Sequence, residues 1–152
     1  VDGSIEVPAG LRDVVVTTTT IGDVRGTEGF YHYRQYSAID LATSRSFEEA
    51  WFLLAEGRLP NPDELAAFTE EIATLRELPA ELTDLLPAIA LAGEHFDPIA
   101  GLRTALSALG SARGLPALFD ADSTRRRADA LLICAVTPTI LAALHRLRAG
   151  LH

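Results

Sequence analysis

The sequence predicts an all-α, multi-helical domain preceded by a small β hairpin, and three observations carry that prediction. Strand-type residues cluster before Tyr36 and disappear after it. From Ser46 onward, helix starts and stops recur around apolar residues at helical spacing, and the stretch from Ser123 to Ala149 reads as one long helix. With 152 residues, 48% of them apolar, the chain can bury one sizeable core. The division expected is an arm with the hairpin over residues 1–45 and a helical part over 46–152.

The hairpin is read from Val14-Val15-Val16 and the run Thr17 to Thr20 leading to Ile21, then Gly22-Asp23, Gly26 and Gly29, then Phe30-Tyr31-His32-Tyr33. β-branched and aromatic residues flank a Gly/Asp-rich connection, which favours two pleated segments over a helix. Helical signals follow. Ser46-Phe47-Glu48-Glu49 sets a hydroxyl at an N-cap and a carboxylate three residues on, the reciprocal pair that satisfies two orphan amides. Phe47, Ala50, Trp51 and Leu54 then recur at helical spacing until Gly57 and Pro60.

Asn61-Pro62-Asp63-Glu64 starts a second helix, with Pro at the position where its missing N–H costs nothing; its apolar residues are Leu65, Phe68, Ile72 and Leu75, and Pro79 ends it. Leu82, Leu85, Leu86 and Ile89 predict a third helix, bent at Pro87 and ending near Gly93. Asp97-Pro98 starts a fourth, with Ile99, Leu102, Leu106 and Leu109 on one stripe and a stop at Gly110. A final helix from Asp122 or Ser123 towards Ala149 would be about 40 Å long, with a kink expected at Pro138. Between Ala130 and Leu144 it is apolar on nearly every face. Such a helix requires cover on more than one side, from further protein or from a second copy across a symmetric interface. A homodimer through the Ser123 to Ala149 helix is therefore expected, centred on Leu132 and Ile140.

Charge excludes some partners. Thirteen Lys and Arg against 21 Asp and Glu leave a net charge of −8, which favours neither nucleic acid nor an anionic membrane. The longest uncharged stretch, Ala130 to Leu144, is shorter than the roughly 18 residues of a spanning helix. The start Val1-Asp2-Gly3-Ser4 lacks a basic targeting region, so a soluble cytoplasmic protein is expected. The single cysteine, Cys134, lies in an apolar run and reads as a small core residue.

Chemistry is sparse. His32, His95, His145 and His152 have no partner at metal-ligand spacing, so no metal-binding residue is assigned. His145 fits a helix C-terminus, where the dipole favours an imidazolium, and His95 in Glu94-His95-Phe96-Asp97 fits a turn, with a general-base role as its alternative. Arg125-Arg126-Arg127 fan over about 200° of a helix and cannot converge on one ligand. Glu48-Glu49 and Glu70-Glu71 read as capping and solvent-facing pairs. No phosphate loop, dinucleotide glycine pattern or nucleophile elbow occurs.

The order of short motifs adds more. Gly10-Leu11-Arg12-Asp13-Val14, Ile21-Gly22-Asp23-Val24, Tyr33-Arg34-Gln35-Tyr36, Ile39-Asp40-Leu41-Ala42, Ser46-Phe47-Glu48-Glu49 and Leu53-Leu54-Ala55-Glu56-Gly57-Arg58-Leu59-Pro60 follow one another, and then come His95-Phe96-Asp97-Pro98, Leu102-Arg103-Thr104-Ala105 and Ser107-Ala108-Leu109-Gly110. This series resembles the N-terminal portion of the large domain of citrate synthases and 2-methylcitrate synthases. One departure is Gln35, where that family usually has Gly.

The resemblance implies a citrate synthase-like multi-helical fold, a homodimer, and a parent enzyme that condenses acetyl-CoA or propionyl-CoA with oxaloacetate, both substrates and not cofactors. The family's catalytic His and Asp residues and its oxaloacetate-binding Arg residues belong to later motifs, an Ala-Asp-His segment with Asn-Ala-Ser and a Gly-Pro-Leu-His-Gly segment, which are absent from this sequence. No catalytic or cofactor-binding residue is therefore assigned. The expectation is a segment that supplies scaffold and dimer interface, inactive alone. A non-enzymatic self-association module built on the same scaffold, or one half of a split enzyme, are the alternatives.

Overall fold

A computed structural model describes residues 6–151. It divides into two compact units, Val1–Pro60 and Asn61–His152. The predominance of helix with a small sheet is as the sequence predicts.

In the first unit, β1 (Gly22–Arg25), β2 (Phe30–Tyr33) and β3 (Tyr36–Ser37) form an antiparallel sheet in that order. Gly22 pairs with Tyr33 and Arg25 with Phe30 across β1 and β2, and Tyr33 pairs with Tyr36 across β2 and β3. The first strand thus begins at Gly22, and Val14–Val16, expected in it, lie outside any strand. The reason is local: the Gly26–Glu28 3₁₀ turn closed by left-handed Gly29 (φ 63°) makes a short connection, which fixes the register from Gly22 onward. Gly22 also meets a steric demand, since a Cβ there would stand 2.5 Å from the His32 carbonyl oxygen.

Helix α1 (Ala38–Ser44), which periodicity did not reveal, follows β3 at once, capped by Ser37 Oγ accepting from Asp40 N, and packs against β2 and β3. It is too short for an apolar stripe to repeat; Ala38 and Leu41 alone are buried. Helix α2 (Phe47–Glu56) starts in the expected reciprocal cap. Glu49 N donates to Ser46 Oγ at 3.1 Å and Ser46 N to Glu49 Oε2 at 2.8 Å, and left-handed Gly57 (φ 82°) closes the helix. The backbone donor of Ser46, helped by the Arg45 guanidinium, lowers the Glu49 pKa against an opposing effect of burial.

In the second unit, α3 (Pro62–Leu75) starts in the same way, with Asn61 Oδ1 and Glu64 exchanging hydrogen bonds of 2.9 Å, and buries Phe68 and Ile72. The expected third helix is instead two short ones, α4 (Ala80–Thr83) and α5 (Leu86–Ala90). Pro87 sits in the first turn of α5, where it begins a helix and does not bend one, and Leu85 at the break is exposed. Helix α6 (Pro98–Arg113) runs through Gly110 and stops at left-handed Gly114 (φ 59°), a correction of one turn. Gly110 is tolerated inside because Leu115 N reaches back to its carbonyl at 2.9 Å.

Helix α7 (Ser123–Arg148) is a single helix of 26 residues, capped by Asp122 Oδ1 accepting from Arg125 N at 2.8 Å. Pro138 is exposed, so the backbone donor it lacks is missing from the outward side. Leu131, Ala135, Val136, Ile140 and Leu144 form its buried face, onto which α3, α5 and α6 pack. Around it close Leu82, Leu86, Ile89, Ala90, Ala105 and Leu109. The sequence predicts Ile140 at a contact with a second copy, but it is fully buried in this core and so is not available for one.

Two further expectations change here. Cys134 is exposed, because its position on α7 lies across the helix from the buried face. Among the described residues α7 is also long and apolar enough, by length and composition, to cross a membrane, although its uncharged stretch alone is not. Its buried face is that of a core helix.

The packing of α6 on α7 depends on Gly101. A Cβ there would stand 2.7 and 2.8 Å from the Phe96 ring and 3.2 Å from Leu144 Cδ1. Gly101→Ala should therefore lower the unfolding free energy by about 1–3 kcal/mol, the usual cost of overpacking, despite alanine's better helix propensity; urea denaturation measures it, and unchanged stability would show that Phe96 swings clear.

Candidate functional site

Three places in the structure gather residues with more than packing to do. The first is a joint in the first unit. Arg34 takes the left-handed position (φ 52°) of the two-residue connection between β2 and β3, while Gln35 does not. Its guanidinium donates through Nη1 to Thr20 Oγ1 at 3.0 Å and through Nη2 to the Leu54 carbonyl near the end of α2 at 2.8 Å. Arg34 N donates to the Ile21 carbonyl, and Nε is buried without a partner. A cation on a late helical carbonyl satisfies an orphan acceptor and opposes the negative end of the helix dipole. One side chain thus ties together the segment before β1, the β2–β3 turn and α2.

The second is a joint in the second unit. Arg148, at the end of α7, donates to the Ala90 carbonyl at 3.3 Å and the Glu94 carbonyl at 3.0 Å, and its guanidinium lies 5.7 Å from the centre of the Phe96 ring. These contacts hold the loop between α5 and α6, beside which lies an open cavity of about 560 Å³. Its walls are small, with Ala88, Ala92, Ala100 and Gly101, and its polar points are Glu94, His95, Asp97 and Thr104. Asp97 Oδ1 is committed to capping α6 through Ile99 N. Among the described residues, none forms a side-chain hydrogen bond that would orient the His95 imidazole, which a general base requires.

The third is the outward face of α7. Ile133, Cys134, Pro138 and Ala142 are exposed there, beside half-buried Thr137 and Leu141. The stripe carries no charge over more than two turns.

The remaining candidates stand apart. His32 Nδ1 approaches the Arg34 carbonyl, with Asp23 3.9 Å from Nε2, so it serves the β2–β3 turn. His145 is exposed in the last turn of α7, and His152 lies outside the described residues. Arg125 pairs with Asp129 at 2.8 Å and Arg127 with Glu71 at 2.9 Å, separate partners as their angular spread requires. Among the described residues no group of three or more His, Cys, Asp or Glu side chains is placed to hold a metal ion. Neither Arg34 nor Arg148 was singled out from the sequence; what signal existed was that Arg34 falls within one of the ordered motifs.

Comparison with known proteins decides what these joints belong to. The citrate synthase C-terminal domain family matches residues 10–152. The chain belongs to the citrate synthase family. Citrate synthase of Haloferax volcanii is 38% identical over 148 residues, covering 95% of this chain and 38% of that protein. The 2-methylcitrate synthase of Mycobacterium tuberculosis is 36% identical over 151 residues, covering 99% and 37%. The crystal structure of citrate synthase from Pyrobaculum aerophilum superposes with a TM-score of 0.82 at 26% identity, covering 98% of this chain and 42% of that one. The chain thus spans about two-fifths of the length of the citrate synthases it matches.

Within this family frame, Arg34 explains two of the ordered motifs as one contact, since Tyr33-Arg34-Gln35-Tyr36 and Leu53-Leu54-Ala55-Glu56-Gly57 meet at the Leu54 carbonyl. Gln35, the departure from the family pattern, sits where no left-handed backbone is required. Arg34→Ala should lower the unfolding free energy by about 1.5–3 kcal/mol, the range for hydrogen bonds to a charged group. Gln35→Ala should stay within about 0.5 kcal/mol, as a surface substitution away from any special contact does; equal effects in chemical denaturation would deny Arg34 its joining role.

Proposed function

We propose that this chain is a segment of a citrate synthase-type acyltransferase of the cytoplasm, whose complete form condenses an acyl-CoA, acetyl or propionyl, with oxaloacetate. The observation that carries the reading is the family match over residues 10–152 at about two-fifths of the relatives' length. The segment supplies scaffold. Several of its polar groups are spent on caps and joints, Glu49 on Ser46, Asp97 on Ile99, Arg34 on Leu54 and Arg148 on Ala90 and Glu94.

For a condensation of this kind a base must remove a proton from the acyl methyl, and the resulting enol must be stabilised as it attacks the oxaloacetate carbonyl. That demands an acid–base pair within hydrogen-bond reach and cations aimed at two carboxylates. Neither arrangement is found among the described residues. Self-association through the outward face of α7 is the second part of the proposal. Cys134, Pro138 and Ala142 recur every four residues, with Ile133 and Leu141 beside them, and a two-fold pair of helices would cover this stripe on both copies at once.

The reading yields two tests. Purified chain should release thiol from acetyl-CoA or propionyl-CoA, with oxaloacetate present, no faster than buffer; an oxaloacetate-dependent rate would show that the segment holds its own catalytic groups. In sedimentation equilibrium the chain should associate through α7, and Ile133→Asp and Ala142→Asp should each shift it towards monomer by at least tenfold in dissociation constant. Unchanged masses in both variants would remove α7 as the interface and leave the segment a monomeric scaffold.

A further inference from the structure

We draw no further inference here: the strongest candidate, the open aromatic groove of about 330 Å³ in the first unit that Tyr31, Tyr33, Leu41 and Phe47 line where β2 meets α1 and the start of α2, is an unpartnered apolar face, and nothing in the structure shows what covers it.

Discussion

The face of α7 formed by Leu131, Ala135, Val136, Ile140 and Leu144 is the surface on which the second unit is assembled. Helices α3, α5 and α6 each reach it, and α4 packs on α5 and α6. Burial of a leucine or isoleucine side chain is worth about 1.5–3 kcal/mol, so the three large aliphatic residues of that face outweigh what α4 and α5, at four and five residues, could gain from their own hydrogen bonds. Those short helices exist because they pack. Gly101 then sets how closely α6 approaches, by leaving room for Phe96 and Leu144 against its backbone.

Arginine serves as the connector in both units. Arg34 and Arg148 each reach two main-chain or hydroxyl acceptors that lie far from the arginine in sequence, and each ties a loop to a helix end. The planar fork suits this use, since its donors diverge at fixed angles and stay charged at any physiological pH. Such joints account for two of the ordered motifs, which meet at the Leu54 carbonyl. The Glu49 carboxylate is another case. Its lowered pKa arises from the amide of Ser46 at a helix start, a structural cause that mimics the perturbation seen at active sites.

What the segment leaves uncovered is as informative as what it buries. The outward stripe of α7 and the Val14–Ile21 segment are two uncharged stretches that the fold presents to their surroundings, one a helix face and the other a loop of β-branched residues. Each lies in a different unit.

The sequence by itself determined the starts of α2, α3, α6 and α7, and the family. Ser46 with Glu49, Asn61 with Glu64, and Asp97 before Pro98 are local signals, complete within four residues, and each caps the helix that it announces. The ordered motifs are likewise visible without coordinates. Only the tertiary structure decided where the first strand begins, that residues 80–90 form two helices, that Cys134 faces outward and Ile140 inward, and that Arg34 and Arg148 are joints. The physical reason is common to all of these. An apolar helix such as α7 carries no period from which its buried face can be read, and a guanidinium's acceptors are carbonyls that every residue has, so the choice among them is made by contacts between residues distant in sequence.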